Sequence, residues 1–253
     1  MSSEFRGSVY FPTREELPGM TRCQEVLTRF CLIFLAVVPA YCQRGTIGID
    51  IGQTSDKFAA LSPVNGLEVG VDGRLVILQA NQKSGRPALA AGGEIRIPTD
   101  AGNHAREYAF FGGPEFHTRN FTIGFHVQLR QINLPTATVD NQVFARDRMR
   151  LLEIPLVIKY NFGPGKRAFV QAEGAPEFTP HFKRSSTSLV SLPSPNLDHG
   201  YFVRGSVGYV FGNWYAKATY ENRYFKFVPD AGNPSNLYNW HSNLISGGIG
   251  FAF

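Results

Sequence analysis

Cysteine is scarce in this sequence and confined to its N-terminal part. The 253 residues contain three cysteines, Cys23, Cys31 and Cys42. A mature chain that starts after position 42 has none, so it can form neither a disulfide nor a thiolate metal site. Long hydrophobic runs are equally rare. The only one, Phe30–Val38, is too short to cross a bilayer as a helix, because a spanning helix needs about 20 apolar residues.

Basic runs are missing too. The 25 Lys and Arg residues outnumber the acidic ones and give a net charge of +5, but they are scattered along the chain. No stripe of positive charge could follow a phosphate backbone. We therefore expect no nucleic-acid partner.

The short apolar run has the features of a secretory signal peptide. Arg22 and Arg29 precede it, and Ala40 and Cys42 occupy the −3 and −1 positions of a cut after Cys42. We therefore predict a signal peptide over residues 20–42.

The flanking segments follow from that assignment. Residues 1–19 form a polar extension that would bury an otherwise ordinary signal, so we interpret them as included in error ahead of the natural start at Met20. Residues 43–253 are then the mature domain.

The mature chain alternates apolar and polar residues with a period of two, which is typical of a strand with two different faces. Ten segments share this pattern, and most are longer than the 5–6 residues of an ordinary globular strand. Their length suits a tilted membrane-spanning strand of about 9–11 residues. The segments are Thr46–Gly52, Leu67–Leu78, Ala88–Ile97, Tyr108–Thr118, Phe121–Ile132, Met149–Phe162, Ala168–Phe178, Tyr201–Phe211, Trp214–Phe227 and Asn243–Phe253.

Short and long connections tend to alternate between these segments. Tight turns fall at 119–120, 163–167 and 212–213, whereas long loops fall at 133–148, 179–200 and 228–242. Outer-membrane barrels have this asymmetry, with short periplasmic turns and longer external loops. The pattern predicts a closed antiparallel up-and-down transmembrane β-barrel of ten strands in a bacterial outer membrane, with both termini periplasmic. Because the link 79–87 is long for a periplasmic turn, eight strands is the fallback.

The polar faces of the strands mix glycines with charges of both signs, which suits a narrow lumen filled by ion pairs. We expect the apolar faces to contact lipid. The strongest rival is a soluble lipocalin-like barrel, whose apolar faces would point inward. The candidates for the lumen network are Glu68, Asp72, Arg74, Glu94, Arg96, Glu115, His117, His126, Arg130, Glu153, Lys159, Glu173, Arg204, Lys217, Glu221 and Arg223.

The C-terminus ends on Phe253, with Phe251 before it, Gly248 sixth from the end and Ser246 eighth from the end. This resembles the signal by which the barrel assembly machinery recognises outer-membrane precursors. The resemblance implies that this machinery is a partner during biogenesis and that outer-membrane lipid surrounds the mature barrel.

The segment LLEIPLVIKY, residues 151–160, resembles a strand of the bacterial outer-membrane β-barrel domain family, the PorT-like and opacity-protein-like group. The resemblance implies a fold and a location, but the group has no common catalytic or binding residues to carry over. Pro155 lacks an N–H for the ladder, so it predicts a bulge or a locally broken pair.

Residues able to carry chemistry are few. None of the six histidines has the spacing of a metal site, and no phosphate-binding loop or nucleophile elbow is present. We therefore expect no cofactor, no metal and no catalytic residue. Glu115, His117 and His126 could form a lumen site, against the simpler reading of a structural network.

These observations favour a structural or binding barrel with a charged, plugged lumen and external contact loops whose ligand the sequence does not identify. A narrow pore is one alternative. The other is an enzyme, either a lipid-modifying barrel or an omptin-like surface protease. For the protease, Asp140, His181, Asp198 and His199 lie on the predicted outer side.

Overall fold

The computed structural model describes residues 44–58, 63–79, 86–100, 104–133, 137–139, 142–144, 147–184, 197–227 and 239–253. The predicted extension and signal peptide lie outside the described residues. Within the described part, no helix is long and apolar enough to cross a membrane.

Almost all of the described residues are in β-strands, and one 3-10 turn, Pro164–Lys166, joins two of them. The strands are β1 (Arg44–Phe58), β2 (Val64–Gln79), β3 (Arg86–Pro98), β4 (Arg106–His117), β5 (Phe121–Phe125), β6 (Val127–Asn133), β7 (Ala137–Val139), β8 (Gln142–Phe144), β9 (Asp147–Glu153), β10 (Leu156–Phe162), β11 (Ala168–Arg184), β12 (Leu197–Phe211), β13 (Trp214–Phe227) and β14 (Trp240–Ala252).

Antiparallel pairing closes these strands into a barrel. Each pass, meaning one crossing of the barrel wall from end to end, pairs with its neighbour in sequence, and β1 pairs with β14 to complete the circle. Strands β5 and β6 form one pass, as do β9 and β10, while β7 and β8 make a separate hairpin. The barrel therefore has the ten predicted passes rather than the eight of the fallback.

The two divided passes are broken at the same height. Strand β9 ends at Glu153 and β10 begins at Leu156, so Ile154 and Pro155 interrupt the pass. Next to this break, the His126 N–H donates to the Pro155 carbonyl oxygen at 3.1 Å instead of continuing the regular ladder. A proline has no N–H to give to a sheet. The predicted broken pair at Pro155 is thus confirmed.

The first two strands are longer than their alternation predicted. Strand β1 continues past Gly52 to Phe58, and β2 begins at Val64. The outward side chains beyond Ile51 are polar, so the hydrophobic signal ends there. The backbone pairing nevertheless continues, because β14 still lies alongside, as far as Trp240 opposite Phe58.

The faces of the barrel distinguish a membrane barrel from a soluble one. Apolar side chains point outward and are exposed, for example Ile49 at 54% and Leu129 at 62%. Charged side chains point inward, where Arg130 is 2% exposed and Glu153 is fully buried. A lipocalin-like barrel has the opposite arrangement. The molecule therefore has the architecture of an outer-membrane β-barrel, with an apolar band facing lipid.

Candidate functional site

The lumen has three levels along the barrel axis. Charged side chains fill the middle, and apolar side chains fill the end from which the long loops extend. A cavity lies at the end with the short turns. Each level draws side chains from several strands, because alternate residues of every strand point inward.

In the charged level, two guanidiniums share two carboxylates. Arg204 Nη2 lies 2.7 Å from both Glu94 Oε2 and Glu221 Oε2. Arg96 Nη2 lies 3.1 Å from Glu221 Oε2, and its Nε contacts Glu94. These four side chains come from β3, β12 and β13, so their ion pairs connect opposite parts of the barrel wall.

Two further guanidiniums extend this network toward the long-loop end. Arg130 Nη1 lies 2.7 Å from Glu107 Oε2, and Arg130 Nε lies 3.1 Å from Glu153 Oε1. Arg223 Nη1 lies 2.9 Å from the same Glu107 oxygen, and its Nη2 lies 3.3 Å from Glu221 Oε1. Glu107 and Glu221 therefore link all four arginines into one connected set.

The fully buried Phe202 ring supports three of these cations. The guanidinium carbons of Arg223, Arg130 and Arg204 lie 5.4, 5.6 and 6.0 Å from the ring centroid. An aromatic face attracts cations through its quadrupole. An apolar residue on the lumen side of β12 thus takes part in the charged level.

Carboxylates outnumber guanidiniums in this level by seven to four: Glu68, Glu94, Glu107, Glu153, Glu173, Glu177 and Glu221 against Arg96, Arg130, Arg204 and Arg223. Two of the carboxylates are weakly held, since Glu68 lies 3.7 Å from Arg96 and Glu173 lies 3.5 Å from Arg204. In the part of the chain that the structure describes, neither oxygen of buried Glu177 has a hydrogen-bond partner.

Glu107 and Glu177 were absent from the predicted network. Glu107 directly precedes the predicted start of its strand, and Glu177 stands between Pro176 and Phe178 near the predicted end of another. The alternation of inward and outward residues could have identified Glu107, because it shares its face with Ala109 and Phe111 on β4.

The apolar level is a feature of the lumen that the sequence did not predict. Its inward side chains are Ala105, Ile132, Met149, Leu151, Phe225 and Trp240, with Leu197 packed against them. The Phe225 and Trp240 rings stack with their centroids 5.4 Å apart. Leu151 points into the lumen and Leu152 to lipid. Because both are apolar, the sequence does not show which of them faces inward.

His104 is next to this apolar level, in the segment between β3 and β4. Its Nδ1 lies 2.9 Å from Asp56 Oδ2, and the Trp240 indole N–H donates to Asp56 Oδ1 at 3.1 Å. The hydrogen bond to Asp56 raises the pKa of His104 above its ordinary value, although burial acts in the opposite direction. Asp56 and His104 were not predicted as a pair, because they are 48 residues apart and meet only when β1, β2 and β3 pair side by side.

The cavity at the short-turn end has a volume of about 280 Å³. Lys217 Nζ lies 2.6 Å from Asp72 Oδ1 and 3.1 Å from Asp50 Oδ2 at its wall. Lys159 lies over the Phe169 ring, 4.2 Å from the centroid. The lining therefore carries charges of both signs.

The predicted cluster of Glu115, His117 and His126 forms part of this wall. Glu115 Oε2 lies 3.0 Å from His117 Nε2, Glu115 Oε1 lies 3.0 Å from His126 Nε2, and Arg74 contacts the same carboxylate. Arg74 and His126 thus donate hydrogen bonds to one buried carboxylate, and His117 lies beside it without a hydrogen bond to it. Among the described residues, no group of three or more His, Cys, Asp or Glu side chains is arranged so that it could hold a metal ion.

The C-terminal residue takes part in closing the barrel. Phe253 and Gly45 exchange two backbone hydrogen bonds: the Gly45 N–H donates to Phe253 at 2.7 Å and the Phe253 N–H donates to Gly45 at 2.9 Å. Of the other signal residues, Ser246 and Gly248 lie on the lumen side, and the Phe251 ring packs edge-on against Trp214 at 5.4 Å.

The residues proposed for a protease are only partly visible. His199 Nδ1 lies 3.1 Å from Asp198 Oδ2, and both side chains are exposed. Lys226 Nζ also lies 3.3 Å from that Asp198 oxygen. Asp140 and the side chain of His181 lie outside the described residues.

No protein-family model matches this chain, and neither does any curated protein. Among solved structures, it is similar to the outer membrane protease OmpT from Escherichia coli, with 11% identity over 83% of this chain and 97% of that one, at a TM-score of 0.44. It is also similar to Neisserial surface protein A, with 11% identity over 83% and 97% of the two chains, at a TM-score of 0.40. The attachment invasion locus protein Ail of Yersinia pestis covers 83% of this chain and 98% of its own, with 11% identity and a TM-score of 0.30. The barrel assignment itself rests on the strand pairing and the outward apolar face.

Proposed function

We propose that this chain is an outer-membrane β-barrel of the structural or binding type, whose lumen does not conduct ions or solutes. The observation that carries the proposal is the connected set of four buried arginines across the middle of the lumen, covered by the stacked Phe225 and Trp240 rings. A ten-strand barrel is narrow, whereas water-filled channels are typical of about 16 strands.

Opening such a lumen would be costly. Each of the four arginines has at least one carboxylate partner within 4 Å, so displacing one guanidinium leaves an unpaired buried charge. Breaking a buried pair in this way costs about 3–5 kcal/mol. Contacts with other molecules would then be made by the outer surface and loops rather than through the lumen.

Planar-bilayer recording of the refolded protein tests this proposal. We expect no conductance steps from the wild type and expect steps from Arg130→Ala/Arg223→Ala, which removes half of the guanidiniums. A lipid-facing variant, Phe110→Ala, serves as the control. Stable single-channel steps from the wild type would overturn the proposal.

We propose further that the long loops face outside and that both termini are periplasmic. Support comes from the lengths of the connections, because the short turn 212–213 lies at the same end as Arg44 and Phe253. Residues 43–253 contain no cysteine, so single introduced cysteines report accessibility. On intact cells, a membrane-impermeant maleimide should label His199→Cys and not Arg119→Cys, and the reverse result would invert the topology.

A surface protease is the enzymatic alternative, and the contact between Asp198 and His199 favours it. Lys226 competes for the same Asp198 oxygen, so this carboxylate is not dedicated to the histidine. We therefore propose no catalytic role for the pair and expect a peptide panel to remain intact after incubation with the refolded barrel. Cleavage that His199→Ala abolishes would make this an enzyme.

For biogenesis, we propose that the C-terminal strand with Ser246, Gly248, Phe251 and Phe253 is recognised by the barrel assembly machinery. The support is the position of Phe253 at the β1–β14 closure, where its backbone seals the barrel.

A further inference from the structure

Three arginines point outward at the long-loop end of the barrel. Arg106 is at the start of β4, and Arg148 and Arg150 are on β9. Asn133 of β6 lies opposite both Arg106 and Arg148, so the three residues form one row across neighbouring strands. We call Arg106, Arg148 and Arg150 the outer arginine patch.

The patch begins where the lipid-facing surface ends. Phe110, Leu129 and Leu152 form a parallel row on the same strands, and their side chains are 57%, 62% and 43% exposed. Arg150 lies two residues before Leu152 on β9, which corresponds to about 7 Å along a strand. The guanidiniums therefore lie just beyond the edge of the apolar band.

Nothing within the described residues neutralises these charges. No carboxylate oxygen there lies within 4 Å of any of the three guanidiniums, and the one contact is a hydrogen bond of 3.3 Å from Arg150 Nε to Gln131 Oε1. The four lumen arginines are all paired, and on another part of this end Lys226 is paired with Asp198. The patch is thus a group of outward-facing cations without a carboxylate partner among the described residues.

We propose that the outer arginine patch binds the phosphate groups of a lipid in the outer leaflet. The inference rests on the proposed orientation, which puts this end of the barrel at the outer surface. A guanidinium presents a planar fork of donors that fits phosphate oxygens, and it interacts with them more strongly than a neutral donor does. Adjacent strands are about 4.8 Å apart, so Arg106 and Arg148 are about 10 Å apart at their Cα atoms and can reach one phosphate or two neighbouring ones.

The test measures retention of diphosphoryl lipid A by the detergent-solubilised barrel in native mass spectrometry. The variant is Arg106→Gln/Arg148→Gln/Arg150→Gln. The matched control, Arg119→Gln/Lys166→Gln/Arg167→Gln, removes the same charge from the short turns at the opposite end. We expect the wild type and the control to bind alike and the patch variant to bind about tenfold more weakly, since several charge-assisted contacts are lost. Equal binding by all three proteins, or equal loss in both variants, would overturn the proposal.

Further measurements test whether each variant folds and whether the bound phosphate belongs to a lipid. Heat-modifiable gel mobility shows that each variant forms a barrel, and Arg148→Gln alone, which breaks no contact among the described residues, should weaken binding about threefold. Millimolar inorganic phosphate should not displace the lipid, and complete displacement would point to a free-anion site instead. Detergent micelles have no inner and outer side, so binding in them does not depend on orientation. Unchanged lipid binding by the patch variant would therefore refute the patch itself, whereas reversed maleimide labelling would refute the orientation.

Discussion

Replacing either of two neighbouring lumen glutamates by glutamine should change the stability of the barrel, but in opposite directions. Glu153 on β9 and Glu177 on β11 are direct partners in the strand register, and both are buried. Arg130 Nε donates to both oxygens of Glu153, at 3.1 and 3.2 Å, and Gln128 donates to it as well. Glu177 receives no hydrogen bond in the described part of the chain.

Glu153→Gln should therefore destabilise the barrel. The new amide would turn an NH2 group toward donors that now approach an oxygen, and Arg130 would lose one of its two counter-charges. Breaking a buried ion pair costs about 3–5 kcal/mol. Glutamine keeps the shape of glutamate, so little of this cost would come from packing.

Glu177→Gln should stabilise the barrel. It removes one carboxylate from a level where carboxylates outnumber guanidiniums, and its amide can donate to Glu153. An unsatisfied buried polar group costs about 1–3 kcal/mol, so we expect a gain of about 1 kcal/mol, because the amide still has to satisfy its own groups.

Guanidinium-induced unfolding in lipid vesicles, followed by fluorescence of the two tryptophans, measures both effects. The double variant completes a cycle, and contacting residues should give a non-additive result. If Glu177→Gln lowers the free energy of unfolding as much as Glu153→Gln does, the described asymmetry between the two carboxylates is wrong.

Four other outcomes follow from the structure. The hydrogen bond to Asp56 raises the folded-state pKa of His104. The contribution of His104 to stability is therefore complete below its unfolded-state pKa of about 6.5 and is lost as the pH rises through the higher folded-state pKa. Thermal unfolding over that pH range should show this loss in the wild type and not in His104→Gln. Phe225→Ala should cost about 3–5 kcal/mol in denaturant unfolding, since it empties the apolar level; a loss below 1 kcal/mol would mean that this level is not packed. Ile49→Lys should cost about 2–4 kcal/mol in vesicles because its side chain faces lipid, and an unchanged midpoint would contradict the outward assignment. Phe253→Ser should reduce the amount of barrel in the membrane fraction; equal amounts would remove the assembly role of this residue.

Much of the fold could be predicted because a membrane barrel imposes a period of two on every pass. The pattern from Phe121 to Ile132 survives as one barrel pass, and only the divided pairing at His126 was unexpected. Where both faces are polar or both apolar, the pattern weakens. The outer part of β1 beyond Gly52 was missed for the first reason, and the inward Leu151 for the second.

The sequence by itself predicted ten passes with two different faces and a broken pair at Pro155. These are local properties, set by side-chain alternation and by a missing N–H. The tertiary structure alone decided which charges meet, because Arg223 reaches Glu107 and Arg204 reaches Glu94 only after distant strands close into a cylinder.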